Sequence, residues 1–168
     1  RPLKKELEKK GLTVIGWETS ETKGLGEAGN LVKPGMKWAL RQKGDIVLDI
    51  GYGVEGAKTL NLVEEKEKHP ELRIYAVINI GRPMTSDKEG IINYVQTLGP
   101  VHGLINNSHL GDETDVAFIE EGAQIVSEAA NVLGLKVIAT TIDYRLQDKF
   151  GTQDSLGNPI RLLYRYMD

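Results

Sequence analysis

VLDIGYGVEGAKT runs from Val47 to Thr59. Apolar Ile46-Val47-Leu48 leads into Asp49. Gly51, Gly53 and Gly56 come next, and then Lys58-Thr59. An apolar strand, a glycine-rich turn and a helix start form an arrangement by which α/β sheets hold phosphates. The turn lets backbone approach the ligand, and the helix N-terminus presents free amides to it. Read as strand, turn and helix, this stretch makes the protein an α/β protein.

The flanking sequence extends the same alternation. Pro2 to Lys10 reads as a short helix and Leu12 to Trp17 as a strand. Thr19 to Val32 is a long polar, glycine-rich loop, and Pro34 to Gln42 is a short helix. After the strand Asp45 to Ile50, Val54 to Lys68 has helical periodicity, and Leu72 to Ile80 is apolar enough for a buried strand. Ser86 is placed to cap a helix reaching Leu98, with Glu89 completing a capping box. Val101 to Asn106 is a strand. A long helix opens at Thr114 or Asp115 and closes at Gly134, and Leu135 to Thr141 is the next strand. A polar stretch from Tyr144 to Gly157 precedes a last strand, Ile160 to Met167. Such alternation predicts a mostly parallel sheet with helices on both faces. Ligands of these sheets bind beyond the carboxyl ends of the strands. The residues to watch are thus Asp49 to Gly53, Asn79 to Arg82, Asn106 to His109 and Thr140 to Asp143.

Three nucleotide motifs come close to the opening stretch. A phosphate loop needs GxxxxGK followed by Ser or Thr, and here Ala57 intervenes between Gly56 and Lys58. One extra residue at a helix start rotates the later side chains by about 100°, so Lys58 points away from the phosphates. Leu48-Asp49-Ile50-Gly51-Tyr52-Gly53 is similar to the first motif of S-adenosylmethionine-dependent methyltransferases. The next glycine, however, comes one position late, and the following strand ends on Asn79 where that family has an acid. The third possibility is the metal-side strand of a phosphate-loop NTPase, in which Asp-x-Gly aims a carboxylate at Mg²⁺ and an amide at the γ-phosphate.

The later strand ends favour the third. Leu104-Ile105-Asn106-Asn107-Ser108-His109-Leu110-Gly111-Asp112-Glu113-Thr114 resembles a segment of the ParA/MinD/CobQ-like P-loop ATPases, in an uncharacterised branch of that group. Asp49 to Ala57, Asn79-Ile-Gly-Arg82-Pro83-Met-Thr85, Leu135 to Thr141 and Pro159 to Leu162 resemble the same branch. The likeness is close over Asp45 to Thr141 and looser elsewhere. It implies a P-loop NTPase-like fold whose first strands, with the phosphate loop itself, are missing from this sequence. Roughly 50 further residues before Arg1 would hold them.

The resemblance also implies roles. Asp49 is the acid acting on Mg²⁺ through water, Gly51 sits at the γ-phosphate, and Gly53 belongs to the same nucleotide-binding turn. Asn106 matches the residue that contacts adenine, with Asn107 beside it, and Thr141 to Asp143 border the base. ATP and Mg²⁺ are the expected cofactors, and a homodimer over the nucleotide is the expected assembly. Without a phosphate loop the chain is expected not to hydrolyse ATP unaided.

Composition sets outer limits. The 168 residues suggest one domain, 1–168. A net charge of -3 gives no bulk electrostatic case for nucleic acid. With no cysteine, disulfides and thiolate chemistry are excluded. No apolar run nears the roughly 20 residues of a membrane span, which makes a cytoplasmic protein the default. Plainer readings stand beside the sharper ones. Asp49 also suits a turn cap, the Asn pair suits a strand-end turn, and Asp112, Glu113 and Asp115 suit the N-terminus of a helix dipole. His109 is a candidate base or ligand, or simply a loop histidine. Two further functions remain open: a methyltransferase-like domain centred on Asp49 to Gly56, and a non-catalytic domain binding a partner through Thr19 to Val32.

Overall fold

The computed structural model describes residues 2–16, 33–51 and 53–165. The chain divides into two compact units, one carrying the described residues up to Leu72 and the other Arg73–Arg165.

In the first unit, helix α1 spans Pro2–Lys9 and a helical turn, α2, spans Pro34–Lys37, followed by a 3-10 turn at Ala39–Arg41. Helix α3 runs Gly53–Thr59. Among the described residues, the buried apolar ones of this unit are Ala39, Leu40 and Val63. The helix expected over Val54 to Lys68 stops early. Leu60–Leu62 tightens to 3-10 geometry, and Val63 turns extended and is buried. Glu65 then adopts a left-handed φ of 66°. This conformation lets Glu65 accept two hydrogen bonds from Arg41, at 2.8 and 3.2 Å. The Arg41 guanidinium also lies 3.8 Å from the Trp38 ring centroid.

Two expected strands do not form in this unit. Residues 12–16 and 45–50 have no regular structure. In 45–50 the burial still alternates: Ile46, Leu48 and Ile50 are half-buried, while Val47 is 92% exposed and Asp49 is exposed. The segment therefore has the two-residue period of a strand without a described ladder partner, and a strand needs both. The loop Thr19 to Val32 lies outside the described residues.

The second unit holds the sheet. Strands β1 (Tyr75–Ile78), β2 (Gly103–Asn106), β3 (Val137–Asp143) and β4 (Ile160–Leu163) are all parallel and lie side by side in chain order. Helix α4 (Lys88–Leu98) crosses from β1 to β2, and α5 (Val116–Leu133) crosses from β2 to β3. The protein is thus α/β with a parallel sheet. Both crossover helices cover one face. Ile91, Tyr94 and Val95 of α4 and Val126, Ala129 and Ala130 of α5 share a core with Ala76, Ile78 and Leu104. A second cluster joins Ile119, Ile142 and Ile160, backed by Leu146 and Phe150. On the opposite face Tyr75 and Val77 remain 42% and 52% exposed.

The helix ends show how sequence sets the frame. Asp87, not Ser86, caps α4 by accepting from the Gly90 amide at 2.8 Å. Ser86 instead donates to the Pro83 carbonyl. Asp115 caps α5 through the Phe118 amide, and Gly134 closes it in a left-handed turn at φ 67°. The last strand is shorter than expected and ends at Leu163.

Candidate functional site

The carboxyl ends of β2, β3 and β4 surround a cavity of about 120 Å³. Asn107, His109, Thr141, Asp143, Leu163 and Arg165 are among the residues that line it. The volume equals roughly four waters of liquid. It falls well short of the roughly 300–1,000 Å³ of a site enclosing a whole small molecule.

Asn106 ends β2 and Asn107 follows it, and the two have opposite fates. Asn106 is fully buried. Its Nδ2 donates to the Ile119 carbonyl at 3.3 Å and to Thr140 Oγ1 at 3.4 Å. Its Oδ1 accepts from the Ser108 amide at 3.2 Å and from the Ser108 hydroxyl at 2.6 Å. Every polar atom of its amide is engaged within the protein, on the side facing α5. Successive strand residues point to opposite faces, so Asn107 emerges on the other side. There its Oδ1 accepts from Thr141 Oγ1 at 2.5 Å, and its backbone amide donates to Ile78 O at 2.7 Å. The Asn107 Nδ2 makes no hydrogen bond among the described residues. The structure therefore brings Asn107, Thr141 and Asp143 to one cavity and turns Asn106 into its support.

Asp143 is held at the rim by two arginines. It accepts from the Arg145 backbone amide at 2.9 Å and the Arg145 Nε at 3.2 Å, and pairs with Arg165 Nε at 3.0 Å. These bonds, the Arg145 amide foremost, hold its carboxyl below the usual aspartate range. Both arginines also pair with Asp112. Tyr144 and Tyr164 stack at 4.7 Å between ring centroids. Sequence spacing does not reveal these Arg–Asp and Tyr–Tyr partners, because separations of up to 53 residues leave no local signal. Asp112 serves this rim and Asp115 caps α5, so the acids expected at the helix start have different tasks. His109 uses Nδ1 to accept from the Gly111 amide at 3.3 Å, a loop role. Likewise His102 Nδ1 accepts from the Ile74 amide at 2.9 Å, joining the segments that lead into β1 and β2.

Asp49, Gly51 and Gly53 lie in the first unit, and the four other expected site residues lie in the second. A side chain at Gly56 would collide with the Gly51 carbonyl, so the turn requires glycine there. Mg²⁺ is bound through one or two carboxylates plus phosphates and water. Among the described residues no group of three or more His, Cys, Asp or Glu could hold a metal ion. Asp49 alone does not make a Mg²⁺ site without phosphate oxygens, and the 168 residues hold no phosphate-loop motif. Among the described residues no helix is long and apolar enough to cross a membrane. Comparison with family models, curated proteins and solved structures finds no match to the chain.

Proposed function

We propose that the chain binds a nucleotide and takes the base of ATP into the cavity at the carboxyl ends of β2, β3 and β4. The observation that carries this reading is the Asn107 amide. Thr141 fixes its oxygen, and its nitrogen is left to donate at the mouth of the cavity. A fixed amide donor suits a ring-nitrogen acceptor on a base edge. The expected adenine contact thereby moves from Asn106 to Asn107, with Thr141 and Asp143 bordering the ring. The position at the strand carboxyl ends is where parallel sheets take their ligands. Roles for Asp49 at Mg²⁺, for Gly51 at a γ-phosphate and for a dimer over the nucleotide rest on the family resemblance. Hydrolysis is proposed only where a phosphate loop is supplied.

A thermal-shift titration of the protein with ATP, with and without Mg²⁺, and with S-adenosylmethionine tests the reading. ATP at a hundredfold its Kd should stabilise by about 2.7 kcal/mol, and Asn107→Ala should reduce that by about 0.5–1.5 kcal/mol. Stabilisation by S-adenosylmethionine alone would transfer the site to the methyltransferase reading. That reading expects an antiparallel end to the chain, whereas β4 pairs parallel to β3. No response to either ligand would leave a partner-binding domain as the better account.

A further inference from the structure

A single directed chain of hydrogen bonds crosses the sheet beside the cavity, and one of its members, Ser108, lines it. The Ile80 amide donates to Ser108 Oγ at 3.2 Å. Ser108 Oγ donates to Asn106 Oδ1 at 2.6 Å. Asn106 Nδ2 donates to Thr140 Oγ1 at 3.4 Å, and Thr140 Oγ1 donates to Asp154 Oδ2 at 2.6 Å. Ser108, Asn106, Thr140 and Asp154 are all buried. The chain joins the end of β1 to the loop before β4.

The sense of every link is fixed. The Ile80 amide can only donate, so the Ser108 hydroxyl accepts there and spends its proton on Asn106. The Ile119 carbonyl can only accept and the Ser108 amide can only donate, so the Asn106 side chain cannot be turned over. An ionised carboxylate only accepts, so Thr140 must give its proton to Asp154 and keep a lone pair for Asn106. Asp154 is itself held by the Leu156 and Asn158 amides and by Asn158 Nδ2, at 3.0, 2.9 and 2.9 Å. It does not line the cavity.

We infer that Asp154 is a positioning residue for the cavity at the strand ends, acting through Thr140 on Asn106 and so on the Asn107–Thr141 pair. An amide at position 154 shows why. Its oxygen can still accept from the two backbone amides, but its nitrogen then faces both Thr140 and the Asn158 Nδ2 donor. The Thr140 hydroxyl must accept from it and donate toward Asn106. Asn106 can meet that proton only by turning over, which sets its oxygen against the Ile119 carbonyl and its nitrogen against the Ser108 amide. The reversed chain is frustrated at both backbone groups. Neighbouring strand residues share one backbone, so a loosened Asn106 releases Asn107.

The test reads the side-chain amide signals of Asn106 and Asn107 by ¹⁵N NMR in Asp154→Asn, Thr140→Val and the double variant. Asp154→Asn should shift both signals and speed the exchange of the Asn106 side-chain protons. In the Thr140→Val background, where the link is already cut, the same substitution should add no further shift at either residue. Equal shifts with and without Thr140, or none in either background, overturn the inference. If Asp154→Asn does not fold, Asp154→Ala decides, read in the same two backgrounds. It should shift the Asn106 signal in the parent and add nothing in Thr140→Val. Equal shifts in both backgrounds would overturn the inference. None of these readouts needs nucleotide, so a failure of ATP to bind leaves the test intact.

Discussion

At the residue scale, Asn106 and Asn107 divide structure from chemistry. Truncating Asn106 to Ala leaves the buried Ser108 amide without its acceptor. Such a buried group costs about 1–3 kcal/mol, so urea denaturation of Asn106→Ala should show a loss in that range or above. Asn107→Ala removes one half-buried amide. It should cost no more than about 0.5–1.5 kcal/mol in urea, the worth of its bond to Thr141, while lowering nucleotide affinity. Gly122 adds a second prediction. A Cβ there would run into Ser108 Oγ and into Asn106 Oδ1 at 2.9 Å. Ala in a helix is ordinarily worth about 1 kcal/mol over Gly. Here Gly122→Ala should instead destabilise by about 1–3 kcal/mol, because overpacking breaks the Asn106–Ser108 bonds. An increase in the denaturation midpoint would refute that. The sequence makes it legible that adjacent residues at a strand end face opposite ways. Which of the two asparagines faces the cavity is set by α5 docking through Gly122, a contact between separate elements that no local pattern encodes.

At the scale of elements, helices were the legible part. Helix α5 shows its start in Asp115, its stop in Gly134 and its apolar face in between, and all three are found. Asp115→Ala should cost about 1 kcal/mol in thermal or urea unfolding. Strands were less legible in the first unit. Residues 45–50 carry the apolar alternation that predicts a strand, but pairing is a property of two segments and sequence displays only one. The break after α3 was invisible for a similar reason, since Glu65 leaves the helical region to meet Arg41, 24 residues earlier. That pair has a pH signature. Hydrogen bonds from Arg41, then from Lys68, lower the Glu65 pKa from 4.5 to about 2. A depressed carboxyl stabilises the fold above its unfolded pKa and loses that contribution as pH falls through its folded value. The ion pair should therefore hold above pH about 4.5 and dissolve on acidification towards about 2. An NMR titration of the Glu65 carboxyl should show the low midpoint, and Arg41→Ala should return it towards 4.5.

At the scale of the molecule, apolar burial is unevenly shared. The cores around Ile78, Ile91, Leu104, Val126 and Ile142 all lie in the second unit. Among the described residues the first unit buries only Ala39, Leu40 and Val63. Regions with few buried apolar contacts open at lower free energy. Hydrogen exchange should therefore find the slowest amides in β2 and α5, and markedly faster exchange over 33–72. Comparable protection in both units would contradict this account. The α/β reading was legible because strand and helix periods alternate over 73–165. The unit boundary has only a compositional trace: eleven of the fourteen lysines precede Leu72. The neighbour order β1-β2-β3-β4 has one more consequence. Spatial order equals the order of synthesis, so every strand joins the outer edge of the one made just before it. No strand has to be threaded between two already paired. As the chain leaves the ribosome, β1, α4 and β2 can assemble with their core while β4 is still unmade, and each later addition closes only a short loop. The sheet can grow vectorially, with the cavity at its strand ends completed last.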